Sequence, residues 1–340
     1  MQVQPLSEEL DLAKANEELR AANQRLQRSL SRAKERQADL VEAVYQAARD
    51  AAVSVGRAGV IARPGRDRRR SPEVALLHLT DWQLGKDTGE FNTEIAKQRV
   101  HTVVRKTIKL AEIQRADHPV RECVVMLGGD LLEGVSIFPG QAYEVDSTAF
   151  TQVFEAARLV EEVILTLLGA FESVTVHDVA GNHGRIGRKG DMPRGDNLDR
   201  IVCKIARDRL TGQSRLAWEE TDGWYRIVEI GAYRAMLVHG DQIKSFGGNV
   251  PAYGVMRKAN AWQAGAIPES FHDLWLGHMH QPMVLQMAHG GLVRMTPSIE
   301  SGSAYAREFM GAHGKPGQRL CFVSPERGIV TAEYLLEVEE

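Results

Sequence analysis

The segment Leu77-His78-Leu79-Thr80-Asp81-Trp82-Gln83-Leu84-Gly85-Lys86 is an apolar strand that stops abruptly at polar residues able to bind metal. Four later segments repeat the design: Gly128-Gly129-Asp130, Gly181-Asn182-His183-Gly184, Val238-His239-Gly240-Asp241 and Gly277-His278-Met279-His280. Each follows a short hydrophobic run and presents Asp, Asn or His at its end. Strand ends that deliver hard oxygen and imidazole donors to one sheet edge are how α/β chains assemble binuclear metal sites. A metal centre acting on phosphoesters is therefore the expectation these residues raise.

At 340 residues the chain is longer than one core needs, so a large catalytic domain with an appendage is expected. A hydrophobic fraction of 43% is ample for that core. The net charge of −3 marks no global nucleic-acid binder, although charge can be segregated locally. Cys123, Cys203 and Cys321 are far apart and form no CxxC pair, which points to buried thiols in a reducing compartment rather than disulfides or a zinc knuckle. The N-terminus is too charged for a signal peptide, and no apolar run reaches the ~20 residues of a membrane helix. A soluble, cytoplasmic protein without membrane contact is expected.

From about Ser7 to Ala52 Gly and Pro are absent, and Leu12, Leu19, Leu26, Ala33 and Leu40 recur every seventh residue. That is a coiled-coil seam, with Asn16, Asn23, Leu30, Gln37 and Val44 at the companion positions. A homodimer through residues 1–54 is expected, or a protein partner bound through the same helix. Residues 55–72 break the pattern with Gly56, Gly59, Pro64 and Gly65 before Arg66-Asp67-Arg68-Arg69-Arg70, which reads as a flexible, arginine-rich linker able to touch a nucleic-acid backbone. Residues 73–340 alternate strand and helix periodicity. Strands are expected over Val74–Thr80, Arg121–Leu127 and Ser173–Val179, with helices over Glu94–Ala116 and about Ser147–Leu168. Strands Trp224–Ile230 and Tyr233–Val238, a helix near Tyr253–Ala264, a strand Leu274–Leu276 and three or four strands from Met283 to Val338 follow. This second half is expected to form a β-rich layer completing a sandwich.

The five motifs, in this order and each after an apolar strand, resemble the calcineurin-like metallophosphoesterase superfamily over roughly Val74 to Ser303. The spellings HLTDWQLGK and LGHMHQP, with Arg294-Met295-Thr296-Pro297-Ser298, look most like its SbcD-type DNA-repair nucleases, and DWQLGK and GNHGR also resemble phosphoesterases carried by bacteriophages. The resemblance implies a four-layer α-β-β-α sandwich and two divalent metal ions. Asp81, Gln83, Asp130 and His280 would hold one; Asp130, Asn182, His239 and His278 would hold the other. His183 would serve as the catalytic donor to the leaving oxygen, a role suited to a side chain titrating near neutrality. Two such ions activate water and neutralise the phosphate. The chain departs from the pattern at Gln83, where the family usually has His. An amide oxygen favours Mn²⁺ or Mg²⁺ over Zn²⁺, with Fe²⁺ also admissible.

A second departure is Arg185 after the GNH; with Arg188, Lys189 and Arg194 it makes a basic loop that can clamp a substrate phosphate or is merely solvated. Glu133 has no role in the pattern. Asp241 is expected to orient the His239 ring. His78 and His177, inside apolar strands, are expected to be core histidines, and Trp82 either stacks on a base or packs beneath the site. The function expected is DNA phosphodiester hydrolysis, as a nuclease and in particular an exonuclease, in the host cytoplasm if the chain is phage-encoded. The rival expectations are a phosphatase or phosphodiesterase for small phosphoesters or phosphoproteins, and an inactive coiled-coil scaffold.

Overall fold

The computed structural model describes residues 71–138, 140–187, 189–244, 252–300 and 315–338, together with residues 17, 20, 21, 23–29, 31, 32, 35, 39, 42–47, 49, 50 and 59. The chain divides into two units, residues 1–51 and 52–340. In the first, the described residues are helical, and Leu26 is 71% exposed. The other leucines of the proposed seam and the arginine run lie outside the described residues, so the coiled coil, its dimer and the linker remain expectations from sequence.

In the second unit, strands β1 (Glu73–Leu79), β2 (Val120–Leu127), β3 (Ser173–Asp178) and β4 (Leu216–Glu219) run parallel to one another. Their near-continuous apolar runs suit a sheet covered on both faces. Helix α1 (Thr93–Gln114) joins β1 to β2, α2 (Ala149–Ala170) joins β2 to β3, and α3 (Leu198–Arg209) joins β3 to β4. Each starts where a side chain satisfies a free amide of the first turn: Asn92 accepts from Ile95, Thr148 from Thr151, and Asn197 from Asp199. Strand β5 (Tyr225–Ile230) turns at Gly231 into β6 (Tyr233–Val238), followed by α4 (Ala252–Ala261), β7 (Asp273–Leu276), β8 (Met283–Gln286), β9 (Leu292–Met295), β10 (Gly317–Ser324) and β11 (Ile329–Glu337). The helix expected to reach Ala264 closes instead in a wide turn, Trp262–Ala266, around Gly265 at φ +105°.

Two sheets result, one ordered β11-β10-β1-β2-β3-β4 and one ordered β5-β6-β7-β9-β8. They share a core in which Leu76, Met126 and Val323 of the first meet Val228, Leu237 and Trp275 of the second. The opposite side of the second sheet, with Met236, Leu274 and Val293, packs under Val255, Ala259 and Trp262 of α4 and its turn. Helices α1 and α2 cover the first sheet. The layers therefore run helix, sheet, sheet, helix. One expectation needs correcting: the last strands do not all complete the second sheet. β10 pairs antiparallel with β1 and carries β11 with it, closing the edge of the first sheet. Among the described residues no helix is long and apolar enough to cross a membrane. All three cysteines are buried and free.

Candidate metal centre

Strands β1, β2 and β3 end side by side in one sheet, and β6 and β7 end side by side in the other. The candidate ligands therefore come from five strand ends in two sheets, not from the single sheet edge expected. Backbone bonds stitch the tips together: Asp81 N–H donates to the Gly129 carbonyl at 3.0 Å, Gln83 N–H to Asp130 at 3.0 Å, and Gly277 N–H to His239 at 3.0 Å.

Asp81, Gln83, Asp130, His278 and His280 have positive φ, from 47° to 62°, and they are the non-glycine residues that do so among the described residues. Left-handed backbone is costly for a residue with a Cβ and persists where surrounding structure enforces it, commonly at functional sites. Here every instance falls on a residue picked out by the motifs. Neighbouring glycines make room: a Cβ on Gly277 would lie 2.0 Å from Asp81 Oδ2, and one on Gly181 would lie 2.1 Å from Asp130 Oδ1.

Asp130, His239 and His278 offer donor atoms that all lie within 4.8 Å of one another. The hydrogen bonding around His239 tests whether they suit a cation. Its Nδ1 lies 2.8 Å from the Gly128 carbonyl, which can only accept, so Nδ1 carries a proton. In the neutral ring Nε2 is then a lone pair, yet it faces Asp130 Oδ2 at 2.9 Å and Asn182 Oδ1 at 3.1 Å. Three electron-rich atoms thus face one another here, an arrangement that a cation relieves. A proton does so in the metal-free chain: burial pulls the His239 pKa down, but Asp130 outweighs it and holds the ring up at about 10. A divalent ion fits the same donors. The same Asp130 is held well below the carboxylate range, its burial being overcome by His239 and His183. His278 is pushed the other way, to about 4, by burial and by the neighbouring His239.

The second group lies beside it. Asp81 Oδ1 is 3.2 Å from His280 Nε2, and Gln83 Nε2 is 3.3 Å from the same nitrogen. Asp81 also accepts the backbone N–H of His278 and the Thr80 hydroxyl, at 2.9 and 2.7 Å to Oδ2. Burial raises the Asp81 pKa, but His280 overcomes this and holds it below its ordinary value.

His183 is fixed at both ends of its residue. Its backbone N–H donates to Asp130 Oδ1 at 2.7 Å, and its Nδ1 is 2.8 Å from the Glu133 carbonyl and 3.2 Å from Glu133 Oε2. Burial lowers the His183 pKa, but Asp130 and Glu133 more than compensate and raise it to about 9. Glu133, left without a role by sequence, is thus the residue that aims His183. Buried Gln141 secures Glu133 in turn, donating to its carbonyl and to its Oε1, both at 2.8 Å.

Other expectations are corrected. Asp241 does not orient His239; the Gly128 carbonyl does, and Asp241 pairs with Lys189 at 3.3 Å. Arg185 directs Nε to the Asn182 carbonyl at 3.0 Å and so braces the GNH turn. Arg188 lies outside the described residues. Trp82 is fully buried, with no partner for its indole N–H among the described residues, which removes it as a base-stacking surface. His78 and His177 are core histidines as expected.

Sequence reasoning missed Asp199. Its carboxylate, in the first turn of α3, accepts the backbone N–H groups of Asp130 at 2.9 Å, Leu131 at 3.0 Å and Gly181 at 2.8 Å, joining the tips of β2 and β3. Burial and the charge on Asp130 raise its pKa to about 6 against those bonds. Asp196-Asn197-Leu198-Asp199 before an apolar run was a helix-start signal that could have drawn attention to it. Ser298 and Gln318 were also missed as supports: the Ser298 hydroxyl donates to the Asp81 carbonyl at 2.7 Å, and Gln318 Oε1 accepts from Thr80 N–H at 2.7 Å.

No family model matches the chain, and no curated protein does. Among solved structures it is similar to Vps29 of Chaetomium thermophilum, at 8% identity over 78% of this chain and 100% of that one, TM-score 0.32. Phosphopantetheinyl hydrolase of Mycobacterium tuberculosis shows 10% identity over 67% and 91%, TM-score 0.30. A 5'-nucleotidase of Candida albicans shows 11% identity over 82% and 54%, TM-score 0.33. At these identities and scores the reading of the site rests on its own residues.

Proposed function

We propose that this chain is a metal-dependent phosphodiesterase that hydrolyses DNA, acting as a nuclease, in particular an exonuclease. The observation that carries the reading is the approach of Asp130 Oδ2 and Asn182 Oδ1 to the Nε2 edge of His239, a position suited to a cation. Asp81 and His280 lie alongside it, and an oriented His183 stands next to it. The likeness of the five motifs to calcineurin-like metallophosphoesterases supports phosphoester chemistry, and their spelling supports the SbcD-type assignment and hence DNA.

In this reading Asp130, Asn182, His239 and His278 would hold one divalent ion, and Asp130, Asp81, His280 and Gln83 would hold another, with Mn²⁺ the preferred metal. The bound ions supply positive charge to the phosphate and an activated water for in-line attack. His183, its Nδ1 turned to Glu133, presents Nε2 to the departing oxygen and protonates it. Gly128 keeps the His239 ring in the tautomer that faces the carboxylate. Residues 1–54 would pair two copies through their heptads, and the basic residues Arg185, Arg188 and Lys189 would border the substrate path.

Comparison of labelled DNA, a bis-aryl phosphate and an aryl monoester, each with Mn²⁺, tests the assignment. Cleavage of DNA and of the diester supports it. Monoester turnover with DNA left intact would replace it with a small-molecule phosphatase.

A further inference from the structure

Lys86 stands against the Gln83 side of the centre and is largely buried, with 12% of its side chain exposed. Its Nζ is 2.8 Å from Glu300 Oε1 and 3.5 Å from Gln83 Oε1. Glu300 is 5% exposed, and its other oxygen is 3.7 Å from His280 Nδ1. An ammonium has donors only, so the Gln83 atom that faces it is the carbonyl oxygen. The amide NH₂ is therefore turned the opposite way, onto His280 Nε2 at 3.3 Å. That nitrogen is also the one beside Asp81 Oδ1, at 3.2 Å.

Gln83 thus directs a donor at the atoms that would hold a cation in this half of the centre. To lend its oxygen to a metal, the amide must turn over. Its NH₂ would then face the ammonium, donor against donor. Lys86 and a divalent ion compete for one oxygen, and Glu300 keeps Lys86 in place. Asn182 at the other half already directs its oxygen towards His239 Nε2.

We infer that Lys86, clamped by Glu300, is a positioning residue that turns the Gln83 amide away from the centre, so that the Asp81–His280 half binds metal much more weakly than the Asp130–His239–His278 half. The inference rests on the metal-centre reading above. It makes the two positions unequal by construction of this chain and assigns the inequality to a residue outside the ligand set. An imidazole at position 83 would have no oxygen for Lys86 to hold.

Calorimetric titration of the full chain with Mn²⁺, with thermal melts to establish that each variant is folded, provides the test. Wild type is expected to show two unequal binding events. Lys86→Met should strengthen the weaker event by about tenfold or more while leaving the tighter one within about twofold, the size expected for a group that orients a ligand. Lys86→Arg, which keeps a donors-only cation, should leave the weaker event weak, and Gln83→His should strengthen it. Two equal events in wild type would overturn the inference and leave the metal centre intact. So would an unchanged weak event in Lys86→Met, or equal strengthening of both events, which would signal a general charge effect. Absence of any Mn²⁺ binding to folded wild type would overturn the metal-centre reading itself, and with it this one.

Discussion

Asp130 and His239 come from different sheets and meet with 2.9 Å between Oδ2 and Nε2. The contact joins the end of β2 to the end of β6, so packing of the two sheets and assembly of the centre are one event. Anything that shifts the β2 tip relative to β6 separates the donors that a cation would bridge.

Asp199 controls that tip. Asp199→Asn removes one of the oxygens that receive the amides of Asp130, Leu131 and Gly181 and puts an NH₂ against a donor. Loss of about 1–3 kcal/mol of stability is expected from the unsatisfied buried amides. Mn²⁺ affinity should fall roughly 10–100-fold, as for other groups that orient ligands. Urea unfolding and calorimetry check both, and a variant with wild-type stability and affinity would show that other groups hold the tip.

Gly277 is a packing requirement rather than a hinge. Its Cβ position is 2.0 Å from Asp81 Oδ2 and 2.3 Å from Thr80 Oγ1, whereas a Cβ on Gly89 meets nothing within 4 Å. Gly277→Ala should lower both metal affinity and melting temperature, and Gly89→Ala should leave metal affinity as it was. Equal behaviour of the two variants in a paired titration would contradict the geometry.

Acid should weaken the fold through its core histidines. Burial, above all, holds His78 at about 3 and His177 at about 4, with Arg319 and Arg226 also disfavouring the charged rings. Among the described residues, His78 Nε2 and His177 Nδ1 have no partner to receive a second N–H. Below an ordinary imidazole pKa of ~6.5 the unfolded chain takes up protons that the folded chain refuses. Stability is therefore full above that value and is lost as pH falls from ~6.5 towards 4 and 3. At pH 5 the loss is up to about 2 kcal/mol per ring. His177→Gln, which cannot protonate, should show a smaller drop in urea midpoint between pH 7 and pH 5 than wild type; an identical drop would exclude His177.

The residues that meet at the candidate centre could be picked out in sequence because each lies within four residues of the strand that delivers it: Asp81 after Leu79, Asp130 after Leu127, His278 and His280 after Leu276. Local hydrophobic pattern and a polar tip were enough. Asp199 was not legible, since the amides of Asp130 and Leu131 that it binds lie just after β2, far away in sequence, and no local pattern records that pairing. The same holds for Glu300 against Lys86 and for Ser298 beneath Asp81. The return of β10 to β1 was missed for a related reason: Met283 to Val338 read only as three or four strands, and the choice of neighbour is made by the core that Cys321 and Val323 share with Val74 and Leu76. Glu133 was visible next to the GD motif, but its contact with His183 depends on how two loops from different strands approach.

The most direct measurement is cleavage of end-labelled and internally labelled DNA by wild type and His183→Ala, each with Mn²⁺ or with chelator. Wild type should cut only with metal. His183→Ala should bind Mn²⁺ normally and cut roughly 10²–10⁴-fold more slowly, the usual contribution of a positioned acid. No hydrolysis of DNA or of a bis-aryl phosphate by folded, manganese-loaded wild type would contradict the account.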